Sequence, residues 1–149
     1  MRTYKGKISK LSDNQVFVYG ANTQFRHGKG AALQAIKFGA KYGVGGYVGK
    51  TYSIITKDLT KYKHPSIDSY RIIEQIGKLY SFAIDNKELD FLIAYSGTGN
   101  NLNGYSNKEM ADMFSSFKIP KNIIFEESFS KLVFGNTNVG IQIDFLEDN

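Results

Sequence analysis

Short apolar runs of strand length alternate along this chain with segments of helical pattern, and this alternation limits the possible folds more than any other feature. Runs that favour strands cover residues 15–19, 51–56 and 90–95, and a helix-forming segment comes after each of them. Strands that alternate with helices form a mostly parallel sheet, because the connecting helices cover both of its faces. The sequence therefore predicts a three-layer α/β/α fold with a mostly parallel mixed sheet, in one domain spanning residues 1–149.

Helical periodicity is clearest between the second and third strand runs. Apolar residues recur there at steps of three and four, which predicts an amphipathic helix whose apolar side lies in the core. Those residues are Ile67, Tyr70, Ile73, Ile76, Tyr80 and Ala83. A further helix is predicted over residues 107–117, with Met110, Met113 and Phe114 facing inward, and a short one over residues 31–37.

The two ends of the chain carry weaker patterns. Residues 3–11 alternate enough to form a strand, and their lysines favour a position at the edge of the sheet. Residues 122–125 are predicted to form another strand. Residues 131–134 and 139–145 are predicted to pair as a β-hairpin around a polar turn.

Composition excludes several kinds of chemistry. The chain has no cysteine, which rules out disulfides and thiolate catalysis, and its only histidines, His27 and His64, disfavour a multi-histidine metal site. No metal or other cofactor is therefore predicted. No apolar run approaches the roughly 20 residues that a bilayer requires, and no apolar leader begins the chain, so we expect a cytoplasmic protein without membrane contact. The net charge of +5 favours an anionic partner, although its lysines are spread along the chain.

A glycine-bearing loop follows the first central strand. The strand run breaks at Gly20, and the chain then crosses a polar segment with Asn22 and Arg26 before it reads Gly28-Lys29-Gly30-Ala31. Glycines allow backbone N–H groups to approach an anion closely, and a helix that begins after them adds positive potential. The loop is a candidate phosphate site, with a plain strand-to-helix turn as the alternative.

Two further strand exits carry polar residues. Lys57 and Asp58 end the run 51–56, and Ser96-Gly97-Thr98-Gly99-Asn100 begins a second glycine-bearing loop that reaches Gly104 and Tyr105. If the three strands are parallel neighbours, all three exits open on one rim of the sheet, where ligands bind in folds of this class. Neither loop contains GxGxxG or the P-loop pattern.

The residue pattern alone leaves the roles of two side chains open. Lys57 could pair with a phosphate, could act as a nucleophile if its surroundings favour the free amine, or could be a solvated lysine on a loop. His27 could serve as an acid–base group or could hold the loop in place.

Taken together, the segments FVYGANTQFRHGKGAA, IITKD and SGTGNNLNGY resemble the macro-domain superfamily, whose members bind ADP-ribose. The nearer resemblance is to the branch of hydrolases that remove ADP-ribose from glutamate side chains or from DNA thymine, and to small phage-associated proteins of that superfamily. It implies a macro-domain fold, ADP-ribose or a related nucleotide as ligand, and Lys57 as the nucleophile. The ligand-binding residues predicted from the two loops are Asn22, Arg26, Gly28, Lys29, Gly30, Ala31, Gly97, Thr98, Gly99, Asn100, Gly104 and Tyr105.

The resemblance also implies an activity and partners. In that activity, Lys57 would displace the modified group from the distal ribose, and water would release ADP-ribose. The substrate would be an ADP-ribosylated protein or single-stranded DNA, in a phage-infected host.

One departure bears on this mechanism, because the second loop reads Asn100-Asn101-Leu102-Asn103 where that branch carries an aspartate. Asp58 and Asp112 are candidate substitutes. The alternatives are a non-catalytic binder of ADP-ribose-type nucleotides, an ADP-ribose 1″-phosphate phosphatase, and a basic nucleic-acid-binding protein.

Overall fold

The structure is a computed structural model, and residues 2–135 are described here. The strands are β1 (Thr3–Tyr4), β2 (Gln15–Asn22), β3 (Tyr47–Val48), β4 (Thr51–Lys57), β5 (Asp90–Ile93) and β6 (Ile123–Glu126), and the helices are α1 (Gly30–Ala35), α2 (Ser69–Asp85), α3 (Asn107–Phe114) and α4 (Glu127–Gly135), with a 3-10 turn at Ile36–Phe38. The strands form one sheet in the order β1-β6-β5-β2-β4-β3. All neighbours pair in parallel except β3 and β4, which are antiparallel.

Strand β2 lies at the centre of the sheet and is buried on both sides. Successive side chains of a strand point to opposite faces. Val16 and Val18 therefore enter the core that is shared with the long helices, whereas Phe17 and Tyr19 enter a second core on the other face. These two cores, one on each face, give the three-layer arrangement.

The larger core lies between the sheet and helices α2, α3 and α4. Helix α2 contributes its buried residues Ile72, Ile76, Leu79, Tyr80 and Ala83. Of the predicted inward residues, Ile76, Tyr80 and Ala83 are buried and Ile67 and Ile73 pack against this core, whereas Tyr70 was predicted wrongly and is 57% exposed. Apolar residues cover a wide arc of α2, so the periodicity fits two adjacent stripes, and contact with the sheet selects the one that includes Ile72.

Helix α3 begins at a capping box. The Ser106 hydroxyl accepts a hydrogen bond from the Glu109 amide at 3.0 Å, and the Glu109 carboxylate accepts one from the Ser106 amide at 2.8 Å. These two bonds satisfy donors that a helix leaves free at its start. The inward positions of Met110, Met113 and Phe114 are confirmed, since all three are buried, but the helix ends at Phe114.

The sequence prediction was wrong at both ends of the described chain. The predicted strand 3–11 shrinks to Thr3–Tyr4, because the chain turns at Gly6, whose φ of 72° ends the extended conformation. Residues 131–134 lie in helix α4 and not in a hairpin, because Phe129, Val133 and Phe134 share one buried helical face. The other predicted hairpin arm, 139–145, lies outside the described residues.

The predicted α/β class with a mostly parallel mixed sheet is confirmed by this topology. In the described range, no helix combines the length and the apolar character that a membrane span needs. The strand order places β4, β2 and β5 side by side, so their carboxyl ends share one rim, as the sequence predicts.

Candidate functional site

An elongated cleft of about 890 Å³ opens at this rim. The loops after β2, β4 and β5 line it, and the end of β6 and the segment after β1 line its far side. The cleft therefore lies at the carboxyl ends of parallel strands, where ligands bind in open α/β sheets. Its volume is within the roughly 300–1,000 Å³ of small-molecule sites.

Most of the residues that the sequence singles out line this cleft. They are Lys57 together with Asn22, Arg26, Gly28, Lys29, Gly30, Ala31, Thr98, Gly99 and Asn100. The remaining predicted ligand-binding residues, Gly97, Gly104 and Tyr105, do not line it. Each of these three has a packing role instead.

Asn22 builds the first loop. Its side-chain oxygen accepts hydrogen bonds from the amides of Gln24 and Arg26 at 3.2 and 3.1 Å, and its side-chain nitrogen donates to the Arg26 carbonyl at 2.8 Å. Asn22 is 8% exposed, so these bonds satisfy a buried amide. The side chain shapes the loop, while the exposed Arg26 side chain is left available at the cleft.

His27 anchors the same loop from beneath and does not line the cleft. Its Nε2 atom lies 3.1 Å from the Tyr19 hydroxyl, and its Nδ1 atom has no hydrogen-bond partner among residues 2–135. Burial lowers the pKa of His27, which favours the neutral ring. This geometry agrees with the anchoring role and places the ring away from any ligand in the cleft.

The first loop lines the cleft with residues whose backbone amides are free within residues 2–135. Within the described range, the amide N–H groups of Gly28, Lys29, Gly30 and Ala31 have no protein acceptor. Helix α1, which starts here, has no side-chain cap and no acidic residue in its first turn. Because α1 has only six residues, we assign the anion-binding capacity to these individual amides and not to a helix dipole.

The second glycine-bearing loop is held by its own side chains and faces the first. The Asn101 side chain donates to the Tyr105 carbonyl at 3.0 Å, and the Asn107 side chain donates to the Gly99 carbonyl at 3.0 Å. The amides of Gly99 and Leu102 have no acceptor within residues 2–135. Leu102 approaches Gly30 so closely that a Cβ atom on Gly30 would lie 3.4 Å from its methyl group. The two loops therefore meet across the cleft.

Lys57 ends β4 at one end of the cleft. Its backbone carbonyl accepts a hydrogen bond from the Thr23 amide at 2.9 Å, which ties the first loop to this strand. Its side chain is half-buried, and its ammonium forms no hydrogen bond or ion pair with residues 2–135. The Lys57 side chain thus lines the cleft without a partner in the described part of the chain.

No carboxylate of the described chain stands beside Lys57 in the cleft. Asp58 accepts hydrogen bonds from the Thr60 hydroxyl and amide, which lower the pKa of Asp58, and it does not line the cleft. Asp112 pairs with Lys108 on the surface of α3. Glu126 is the one carboxylate that lines the cleft, but it ends β6, three strand spacings or roughly 14 Å from β4.

The floor of the cleft depends on Gly20 and Tyr95. A Cβ atom at Gly20 would lie 2.5 Å from the Tyr95 hydroxyl and 3.1 Å from the Thr56 hydroxyl, so only glycine fits there. Burial raises the pKa of Tyr95 to about 12, while hydrogen bonds with Thr56 and Asn103 act in the opposite direction. The phenol therefore stays protonated, and the floor is neutral.

The three predicted residues outside the cleft hold its walls. A Cβ atom on Gly97 would lie 2.6 Å from the Ser128 carbonyl oxygen, so Gly97 allows close packing against α4. Gly104 packs in the same way against the backbone of His64 and Pro65. The Tyr105 hydroxyl donates to the Ile67 carbonyl at 2.5 Å, which ties the loop to the segment before α2.

Sequence reasoning missed the far side of the cleft, which includes Tyr4, Lys7, Ile8, Glu126 and Ser128. The sequence did contain a signal for Glu126 and Ser128, because they come at the carboxyl end of a parallel strand, where ligands bind in folds of this class. The segment after β1 obeys the same rule, because β1 is parallel to β6, but the strand predicted over residues 3–11 put the strand exit too late in the chain.

Alanine in place of Gly104 is expected to lower the free energy of unfolding by about 3 kcal/mol, because two costs combine. The φ of 87° is unfavourable for alanine, and its Cβ atom would lie 2.5 Å from the His64 carbonyl carbon. Urea unfolding measures the loss. Gly43→Ala is the matched control, because its φ is 77° and nothing lies within 4 Å of the added Cβ atom. Equal losses in the two variants would contradict the packing role of Gly104.

Glu126 provides a pH-dependent contribution to stability at the start of α4. Burial opposes its ionisation, but hydrogen bonds from the Ser128 hydroxyl and from the amides of Ser128 and Phe129 outweigh this, so the pKa of Glu126 is lowered. Its stabilising effect is therefore present above its ordinary pKa of about 4.3 and is lost as the pH falls through the lower folded-state value.

We expect Glu126→Gln to destabilise the protein by about 1 kcal/mol at pH 7 and by much less at pH 3. Urea unfolding at the two pH values measures this difference. Glu127→Gln is the control, since among residues 2–135 the Glu127 carboxylate makes only an exposed pair with Lys5 at 3.6 Å. A destabilisation by Glu126→Gln that does not change with pH would contradict the role of the carboxylate.

Comparison with known proteins found no match to this chain among protein-family models, curated proteins or solved structures. Within residues 2–135, no group of three or more histidine, aspartate and glutamate side chains is placed to hold a metal ion.

Proposed function

We propose that this chain is a macro-like domain that binds ADP-ribose or a closely related nucleotide in the cleft. The observation that carries the proposal is the pair of glycine-bearing loops, whose residues line one cleft together with Lys57 and include amides without an acceptor in residues 2–135. A diphosphate needs several donors that converge from two sides, and backbone amides of glycine-rich loops provide them.

Charge supports the same ligand class. Arg26, Lys29 and Lys57 line the side of the cleft formed by the first loop and β4. The single carboxylate of the cleft within the described range, Glu126, already accepts hydrogen bonds from the start of α4. An anionic diphosphate would therefore meet cations and free N–H groups and no uncompensated negative charge.

Hydrolysis at Lys57 is a second candidate function, favoured by its half-buried side chain at the end of the cleft. In this reaction the Lys57 amine attacks the anomeric carbon of the distal ribose, and the bond to the modified group breaks with its electron pair. Water then attacks the same carbon, the bond to Lys57 breaks, and ADP-ribose leaves. An ADP-ribosylated protein side chain or DNA base would be the substrate.

Binding without turnover is favoured over hydrolysis by the position of the carboxylates. A general acid or base must lie within hydrogen-bond reach of the proton that it transfers, or one water away. Asp58 and Asp112 lie outside the cleft, and Glu126 is at its other end. Sequestration of the nucleotide is therefore our first proposal and hydrolysis the second.

Calorimetric titration of the purified protein with ADP-ribose tests the proposal. We expect one-to-one binding in the micromolar range or tighter, with weaker binding of AMP and ribose 5-phosphate, which each lack half of the diphosphate ligand. Chromatography of the same protein incubated with ADP-ribosylated protein or single-stranded DNA shows whether ADP-ribose is released. Absence of binding to ADP-ribose would overturn the proposal, and multiple turnovers would establish the second candidate.

A further inference from the structure

One end of the cleft, which we call its second arm, lies beside β1, four strand spacings from Lys57 on β4. Its walls are the segment after β1, with Gly6, Lys7 and Ile8, and helix α1. The Gln34 side chain of α1 donates a hydrogen bond to the Ile8 carbonyl, so the two walls are joined. If the distal ribose lies beside Lys57 and the diphosphate lies between the glycine-bearing loops, the nucleoside half of the ligand occupies this arm.

Lys7 gives this arm a positive charge that no carboxylate of the described residues neutralises. Its side chain is exposed at the cleft and forms no ion pair within residues 2–135. Among the described residues, Glu126 is the one carboxylate that lines the cleft, and its oxygens accept hydrogen bonds from the Ser128 hydroxyl and from the amides of Ser128 and Phe129. Lys7 is therefore free to bind an acceptor on the ligand.

The cations that line the cleft lie in separate places, and each place corresponds to a different half of the proposed ligand. Arg26 and Lys29 lie on the first loop, near the amides assigned to the diphosphate, whereas Lys7 follows β1, the strand farthest from β4 on that side of the sheet. The strand order puts β1 four spacings from β4, roughly 19 Å across the sheet. A diphosphate bound between the loops leaves Lys7 without an anionic partner.

We propose that Lys7 selects nucleotides that carry an additional phosphate on the nucleoside half, such as ADP-ribose 2′-phosphate, over ADP-ribose itself. This inference rests on the proposed function. A lysine ammonium binds phosphate oxygens as a point charge and requires no fixed planar geometry, so an exposed lysine at the rim suits this role. Because Lys7 is exposed, water and salt screen its attraction to the additional phosphate, so we expect a modest preference in affinity.

Calorimetric titration with ADP-ribose and with ADP-ribose 2′-phosphate tests the inference. We expect the wild-type protein to bind the phosphorylated ligand about fivefold more tightly at low salt, with a smaller preference at higher salt. Lys7→Met should bind the two ligands with equal affinity, because the charge that distinguishes them is gone. Lys10→Met is the matched control, because Lys10 is exposed on the same segment but does not line the cleft, and it should keep the preference.

Two results would overturn the inference alone: equal affinities of the wild-type protein for the two ligands, or a preference that survives in Lys7→Met. If neither ligand binds the wild-type protein, the proposed function fails and the inference fails with it. Equal binding of ADP-ribose and ADP-ribose 2′-phosphate would therefore contradict the inference and leave the proposed function standing.

Discussion

Alanine in place of Lys57 should reduce release of ADP-ribose from a modified substrate by at least about 10³-fold, if Lys57 is the nucleophile of the second candidate function. Its affinity for free ADP-ribose should stay within about fivefold of the wild-type value, because the backbone amides of the two loops carry the diphosphate. The physical reason for this split is that the attacking amine acts on the anomeric carbon, whereas binding is distributed over many donors. Single-turnover release and calorimetric titration of the same protein preparation measure the two quantities.

Two control variants make this result specific to the amine of Lys57. Lys57→Arg keeps the positive charge but offers no comparable nucleophile, so it should lose turnover as alanine does. Lys29→Ala removes another cation that lines the cleft and should weaken binding without a specific loss of turnover. Normal turnover by Lys57→Arg would exclude covalent catalysis by Lys57. Binding of ADP-ribose without any turnover by the wild-type protein would leave sequestration as the function.

Glutamate in place of Gly28 should weaken ADP-ribose binding by about 100-fold and leave the fold intact. Nothing lies within 4 Å of a Cβ atom at Gly28, and Gly28 is not among the glycines with positive φ, so a side chain fits there. The new carboxylate would lie beside the free amides of the first loop. It would accept their hydrogen bonds and repel the diphosphate, and both effects oppose binding.

Gly28→Gln and Gly28→Ala separate the contributions of charge and size. The glutamine variant has the size of the glutamate without its charge, so it should lose less affinity, and the alanine variant should bind nearly as well as the wild type. Thermal unfolding of all three variants should agree with the wild type within about 2 °C, since the site is open to solvent. Full affinity in Gly28→Glu would show that the first loop does not hold the phosphates.

The sequence was sufficient to predict the rim on which the cleft lies. Strand runs followed by polar loops, with helices between them, permit few arrangements, because crossovers between parallel strands must cover the sheet. The loops after β2, β4 and β5 therefore had to open on one rim once the strands were adjacent. Gly28, Lys57 and Gly99 line the cleft for this reason.

The sequence could not separate glycines that face a ligand from glycines that face the protein. Gly97 and Gly99 differ by two positions, yet only Gly97 packs against α4, through a contact with Ser128. That contact joins residues far apart in the chain, so no local pattern contains it. The arm at Lys7 was missed for a different reason, because the strand predicted over residues 3–11 continued past the turn at Gly6 that ends β1.

The short outer strands have a consequence for self-association. In the described part of the chain, the sheet ends in β1 on one side and β3 on the other, and each has only two residues. An exposed edge strand is a template on which another chain can add a strand, and two residues offer too few free backbone groups for a stable pairing. Strand β3 pairs only with Thr51 and Tyr52 of β4, and the Gln75 side chain occupies the amide and carbonyl of Ile55 farther along that edge. The long, apolar strand β2 is kept at the centre, where β4 and β5 pair with it on both sides and its backbone is not open to another chain.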